Sequence, residues 1–73
     1  MSRENVVRRF GRHIRKLREA RGINQTVLAE RIGTEQSKIS LMENGKQEPR
    51  LTFIHELAGA LRMSLGEVFK DFR

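Results

Sequence analysis

Apolar residues along this chain recur at steps of three and four, never in sustained alternation, so the pattern predicts helices throughout. Val7, Phe10, Ile14 and Leu17 make the first stripe, with Arg and Lys on the remaining faces, and predict an amphipathic helix over residues 6–21. Asn5 or Ser2 is placed to cap its start, and Gly22 follows the last periodic residue, where a left-handed cap usually sits. Gly11 falls inside this helix at a cost of about 1 kcal/mol against Ala. Either close helix packing requires it or the helix tolerates it.

A second, short helix opens at Asn24, a natural N-cap, with Ile23 before it and Leu28 after it forming a hydrophobic staple. Leu28, Ala29 and Ile32 give its inward face and Gly33 ends it. Thr34 is expected to cap a third helix, with Ile39 and Met42 inward and Asn44-Gly45 as its stop. Residues 46–50 read as a loop. A fourth helix is predicted from Leu51 to Leu61, with Leu51, Ile54, Leu57, Ala58 and Leu61 on one face. Ser64 and Glu67 then form a capping box that opens a fifth helix through Phe69. With no repeat, no low-complexity tract and short loops, the expectation is one all-α domain over residues 1–73, a compact five-helix bundle.

Composition narrows the function. The chain has 73 residues, no Cys and two His, and no clustered carboxylates, which excludes disulfides and thiolate metal sites and leaves little material for an enzyme. No metal, cofactor or small-molecule ligand is expected. His13 and His55 fall on mainly polar helix faces and read as surface residues. No apolar run is long enough for a membrane span or a signal-peptide core, so a cytoplasmic protein is expected. The net charge is +6 and the isoelectric point about 11.1, which points to a polyanionic partner. The charge is uneven: residues 1–22 carry eight basic side chains against two acidic ones, the whole net charge, while residues 23–73 are neutral overall.

The informative stretch runs from Gln25 to Met42: two short helices joined by a turn of about three residues that begins with Gly33. Gly33 permits the positive φ that a sharp turn demands. Ala29 is small where the second helix of the pair crosses closely. Ile39 and Met42 anchor that helix, which leaves Gln36, Ser37, Ser40 and Leu41 pointing outward. Taken with Ile14-x-x-Leu17-Arg18, Asn24-Gln25-x-x-Leu28-Ala29, Glu43-Asn44-Gly45-Lys46, Leu57-Ala58-x-Ala60-Leu61 and Ser64-Leu65, the chain resembles the phage-repressor and Cro (Xre-type) helix-turn-helix proteins from about Phe10 to Phe69. Each piece alone is common; the ordered set at these spacings is specific. Met42 and Arg50 depart from the family pattern, Arg50 because it stands where a small N-capping residue is usual.

The resemblance implies double-stranded DNA as partner, with the third helix in the major groove of a symmetric operator. Gln36 is then the best placed to read a base, since its amide can pair bidentately with adenine. Ser37, Ser40 and Leu41 are further base-contacting candidates, Leu41 through a thymine methyl. Asn24 and Gln25 sit at a helix N-terminus that favours an anion. The resemblance implies that Gln25 contacts phosphate and braces Gln36, and that Asn44, Lys46 and Arg50 form a second phosphate-gripping segment. Lys38 is placed among the phosphate contacts, a base contact being its alternative. Arg18 and Glu43 match a structural ion pair of the family. The helix-turn-helix proper spans residues 25–43, and helices four and five, about 51–70, are expected to form a homodimer contact through Phe53 and Phe72, with Leu65 and Val68 shared between the core and that contact.

The chain is most similar to small stand-alone regulators of bacteria and phage such as restriction–modification controller proteins. The rival reading is an antitoxin-type protein-binding module that also regulates its own operon. Such a module usually needs a segment to occupy its toxin, and only Lys70 to Arg73 are left over for that.

Overall fold

Five helices follow one another in the computed structural model, which describes residues 2–73: α1 Arg3–Ala20, α2 Gln25–Ile32, α3 Gln36–Glu43, α4 Leu51–Ala60 and α5 Leu65–Phe69. The all-α bundle expected from periodicity is what forms. Helix α1 starts earlier than its apolar stripe because Ser2, not Asn5, is the cap: its hydroxyl accepts from the Asn5 backbone N–H at 3.2 Å. Asn24 caps α2 through its side-chain oxygen, which accepts from the Val27 N–H at 2.8 Å. The Ser64–Glu67 capping box at α5 is closed in both directions.

Helix α3 departs from expectation at its start. Thr34 does not cap it: Thr34 belongs to the closure of α2, its backbone N–H donating to the Ala29 carbonyl at 2.9 Å across Gly33, which is left-handed with φ 84°. The chain therefore runs one residue further, and Glu35 becomes the N-cap with no side-chain capping bond. The same backbone closure ends α4, where Met63 N–H donates to Ala58 O at 2.8 Å over Arg62, the one non-glycine residue with positive φ among those described.

The core is built from Phe10, Ile14, Leu28, Ala29, Ile39, Met42, Phe53, Leu57, Ala58, Leu61 and Val68, drawn from all five helices. Helix α3 packs on α1 and α2, α2 also packs on α4, and α4 on α5. Gly11 is required by close packing. A Cβ there would run into the Met42 carbonyl oxygen and lie 2.7 Å from that of Glu43, so α1 meets the end of α3 backbone to backbone. Helix α4 keeps Ile54, Leu57, Ala58 and Leu61 of its predicted face inward, but Leu51 is 73% exposed and Phe53 is buried in addition. Arg50 caps α4 without a side-chain bond, as its departure from the family pattern implies. The C-terminal carbonyls of α4 are instead served from outside: Arg21 donates to Leu61 O at 2.6 Å and Arg31 to Ala60 O at 3.0 Å, two contacts that carry no sequence signal.

Candidate nucleic-acid interface

Side chains that face outward along α3 share one side because positions 36, 37, 40, 41 and 44 fall within about two-fifths of the helix circumference. Gln36, Ser37, Leu41 and Asn44 are exposed, and Ser40 is half-buried, its hydroxyl bonded to the Asn44 amide at 3.3 Å. Opposite this face, Ile39 and Met42 sit in the core at 0% and 2% exposure. The apolar anchors and the polar outer face are therefore placed as the sequence predicted. No side chain caps this start; within the first turn the Lys38 N–H donates to the Glu35 carbonyl at 3.0 Å.

Beneath α3 lies a buried ion pair. Arg18 and Glu43 are 7% and 4% exposed and joined twice: Arg18 Nε donates to Glu43 Oε2 at 2.8 Å and Nη2 to Oε1 at 2.9 Å. Arg18 Nη1 also donates to the Ile23 carbonyl at 2.9 Å. Its hydrogen bonds to Glu43, outweighing burial, hold the Arg18 guanidinium above its ordinary pKa. The pair thus ties α1 to the end of α3 and to the turn before α2.

Gln25 joins this pair to the outer face. Its Nε2 donates to Glu43 Oε1 at 2.9 Å, and its Oε1 accepts from Gln36 Nε2 at 2.6 Å. The bracing of Gln36 by Gln25 was implied by resemblance. The bond from Gln25 to Glu43 was not, since nothing in the spacing links positions 25 and 43. Asn24 is exposed and spends its side-chain oxygen on the helix cap. Lys46 and Arg50 are exposed on the segment between α3 and α4. Lys38 stands on the α4 side of α3, with its ammonium 4.6 Å from the centre of the Phe53 ring.

The basic stretch is less free than its charge suggests. Arg3 pairs with Glu48 at 2.7 Å, Arg15 with Glu19 at 3.4 Å, Arg18 with Glu43, and Arg21 with a carbonyl. Arg9 lies over the Phe72 ring at 5.7 Å. Arg8, Arg12 and Lys16 are exposed, and the backbone of Arg8 lies beside Gly45 at the end of α3.

Three readings of the dimer and surface residues are corrected. Val68 is fully buried and Phe53 is 6% exposed, so both fill the core of their own domain instead of standing on its surface. Leu65 and Phe72 are half-buried, and Phe69 is 39% exposed beside Phe72. Phe10, Phe69 and Phe72 form an aromatic cluster, with Phe10 stacked on Phe69 at 5.4 Å and Phe72 edge-on to Phe10 at 5.6 Å. His13 is half-buried, its Nε2 bonded to the Val68 carbonyl and its ring against Phe72, so it anchors α5 to α1 and is not a free surface imidazole. His55 is exposed as expected.

Comparison with known proteins agrees with this geometry. A family model described as a helix-turn-helix domain matches residues 9–69. The control protein C.MunI of a Mycoplasma species is 33% identical over 64 residues, covering 86% of each chain. An uncharacterised HTH-type transcriptional regulator of Methanothermobacter thermautotrophicus is 37% identical over 57 residues, 77% of this chain and 83% of that one. The crystal structure of the restriction–modification controller protein C.AhdI from Aeromonas hydrophila superposes with a TM-score of 0.89 at 32% identity, covering 94% of this chain and all of that one. With all five helices in place and the helix pair matched from end to end, the chain belongs to the Xre-type helix-turn-helix family of DNA-binding transcriptional regulators.

Proposed function

We propose that this protein is a restriction–modification controller that binds a two-fold symmetric operator as a dimer, with α3 in the major groove. The observation that carries the reading is Gln36: exposed on the first turn of an uncapped helix, with its amide held by Gln25 at 2.6 Å instead of left to sample rotamers. Ser37 and Leu41 flank it, and Ser40 lies at the inner margin of the same face. Asn24, Gln25, Asn44, Lys46 and Arg50 surround this face as the phosphate-gripping set. Lys38 belongs to the margin toward α4. The likeness to a control protein and to a restriction–modification controller supports the choice of system.

The test is a duplex selected by the protein from a random pool, then titrated with variants at several salt concentrations. Gln36→Ala costs about 1–3 kcal/mol on the selected duplex and relaxes one base position per half-site, while binding to scrambled DNA barely moves because that term is electrostatic. Lys46→Ala weakens selected and scrambled duplexes alike and flattens the salt dependence by about one unit per protomer. A wild type with no preference for any duplex overturns the reading.

The dimer contact is proposed on α4 and α5, where Leu65 and Phe72 are the surface members of the expected set and Phe69 joins them. A single domain reads only a few base pairs, so affinity calls for two half-sites. Sedimentation at micromolar protein is expected to give a dimer that Phe72→Ala weakens. A monomer at every concentration refutes it.

A further inference from the structure

We propose that the first two turns of α1 belong to the DNA interface: Arg8 is a further phosphate-binding residue, and Arg3 cancels the one acid that would repel the DNA backbone there, Glu48. Both roles rest on the reading that the segment from Asn44 to Arg50 grips phosphate, and they add to it residues more than thirty positions away in sequence.

Arg8 stands against the chain where it leaves α3. Gly45 is left-handed there, with φ 71°, and a Cβ on it would run into Arg8 Cγ and lie 2.9 Å from Arg8 Cα and 3.1 Å from Arg8 Cβ. Only glycine lets α1 come so near. The Arg8 side chain therefore starts against the residue that separates Asn44 from Lys46, two of the phosphate candidates. Arg8 is exposed and makes no hydrogen bond or ion pair among the described residues. A guanidinium with no carboxylate to hold brings its full charge to an anion at this surface, and its planar fork matches phosphate oxygens. With the first carbons of its stem packed on Gly45, less side-chain freedom is lost when it binds.

The segment itself is only weakly basic. Lys46, Glu48 and Arg50 are its charged residues and give it +1. Near the start of α1, Arg3 Nε donates to Glu48 Oε1 at 2.7 Å, with both side chains exposed. An ion pair this exposed contributes little to stability, so its main consequence is electrostatic. Arg3 neutralises Glu48, and Arg3 and Arg8 together raise the charge around the segment to +3. Long-range steering, the reading that the concentration of charge in residues 1–22 suggests by itself, depends on net charge and not on where each charge sits. A direct phosphate contact depends on position, and Arg8 has the position.

The experiment titrates the intact protein and its variants against the duplex it selects and a scrambled one, at several salt concentrations, after thermal melts have shown each variant to be folded. Arg8→Gln keeps the stem on Gly45 and removes the charge. It is expected to weaken both duplexes alike and to lower the salt slope by about one unit per protomer. The advantage of wild type over it then shrinks about threefold per protomer as salt rises from about 50 to about 200 mM. Arg8→Lys is expected to restore the slope. Lys16→Gln removes the same charge from an exposed position two turns further along α1, about 140° round from Gly11 and so turned from the side that meets α3. It is expected to leave the slope within about 0.3 unit of wild type. Arg3→Gln leaves Glu48 uncancelled and is expected to weaken both duplexes about threefold, whereas Arg3→Gln/Glu48→Gln returns to within about twofold of wild type. A slope unchanged in Arg8→Gln overturns the proposal. So does an equal fall in Arg8→Gln and Lys16→Gln, since net charge alone then accounts for it. A double variant as weak as Arg3→Gln alone overturns the role of Arg3. If Lys46→Ala leaves the salt slope at its wild-type value, the phosphate-gripping reading of the segment itself fails, a result distinct from a failure at Arg8.

Discussion

Helices α3 and α5 are held in opposite ways. The five-residue α5 carries its own start signal, a capping box closed at 2.9 Å and 3.1 Å between Ser64 and Glu67. The eight-residue α3 has no capping side chain, and nearly everything that fixes it comes from other elements. Gly11 of α1 lies against its last carbonyls, Arg18 of α1 grips Glu43, and Gln25 of α2 holds Gln36. The position of α3 is therefore secured from behind, by α1 and α2, whereas α5 is started by its own residues.

The sharpest way to break this contrast is to remove the support behind α3. Glu43→Ala is expected to cost about 3–5 kcal/mol, because it strands a buried guanidinium, with Arg18→Ala similar and the double variant losing less than the sum. Denaturant titration of the four proteins measures it. Losses below about 0.5 kcal/mol that simply add would describe an exposed pair instead.

Gly11→Ala comes next, at about 3 kcal/mol despite the better helix propensity of Ala, because the new methyl meets backbone carbonyls that cannot swing away. Gly59→Ala in α4, where a Cβ meets nothing within 4 Å, is the matched control and is expected to gain up to about 1 kcal/mol. Thermal melts suffice: opposite signs are expected for the two glycines.

The smallest effects belong to the helix starts. Ser64→Ala is expected to cost about 1 kcal/mol and Glu35→Ala to stay within about 0.5 kcal/mol of wild type, since only the first loses a capping bond. The capping box also has a pH signature. The Ser64 backbone N–H, and then its hydroxyl, hold the Glu67 carboxyl below its ordinary pKa. A depressed carboxylate contributes stability that is present above the unfolded-state pKa and is lost as pH falls through the folded one. Glu67→Gln is therefore expected to lower stability slightly near neutrality, to match wild type at low pH, and so to flatten the stability profile below about pH 5.

Much of this was written in the order of the residues. Helix number, the inward faces of α1, α2 and α3, the caps at Asn24, Gly33 and Ser64, and the helix-turn-helix pair are local properties: a 3.6-residue period and a capping side chain act within one or two turns of chain. Gln36 as an outward residue followed from the same period, once Ile39 and Met42 were assigned inward. What the sequence left open depended on which helices touch. Gly11 needed the end of α3 beside it, and Thr34 lost its cap role to the closure of α2. Phe53 is buried and Leu51 exposed because the helices packed against α4, not its own stripe alone, define the space it fills. Val68 and His13 became core and anchor by facing each other across positions 55 apart in sequence. The link from Gln25 to Glu43 is of the same kind. Periodicity orients a side chain about its own helix axis, but a contact between two axes depends on their distance and crossing, which only the packed tertiary structure decides.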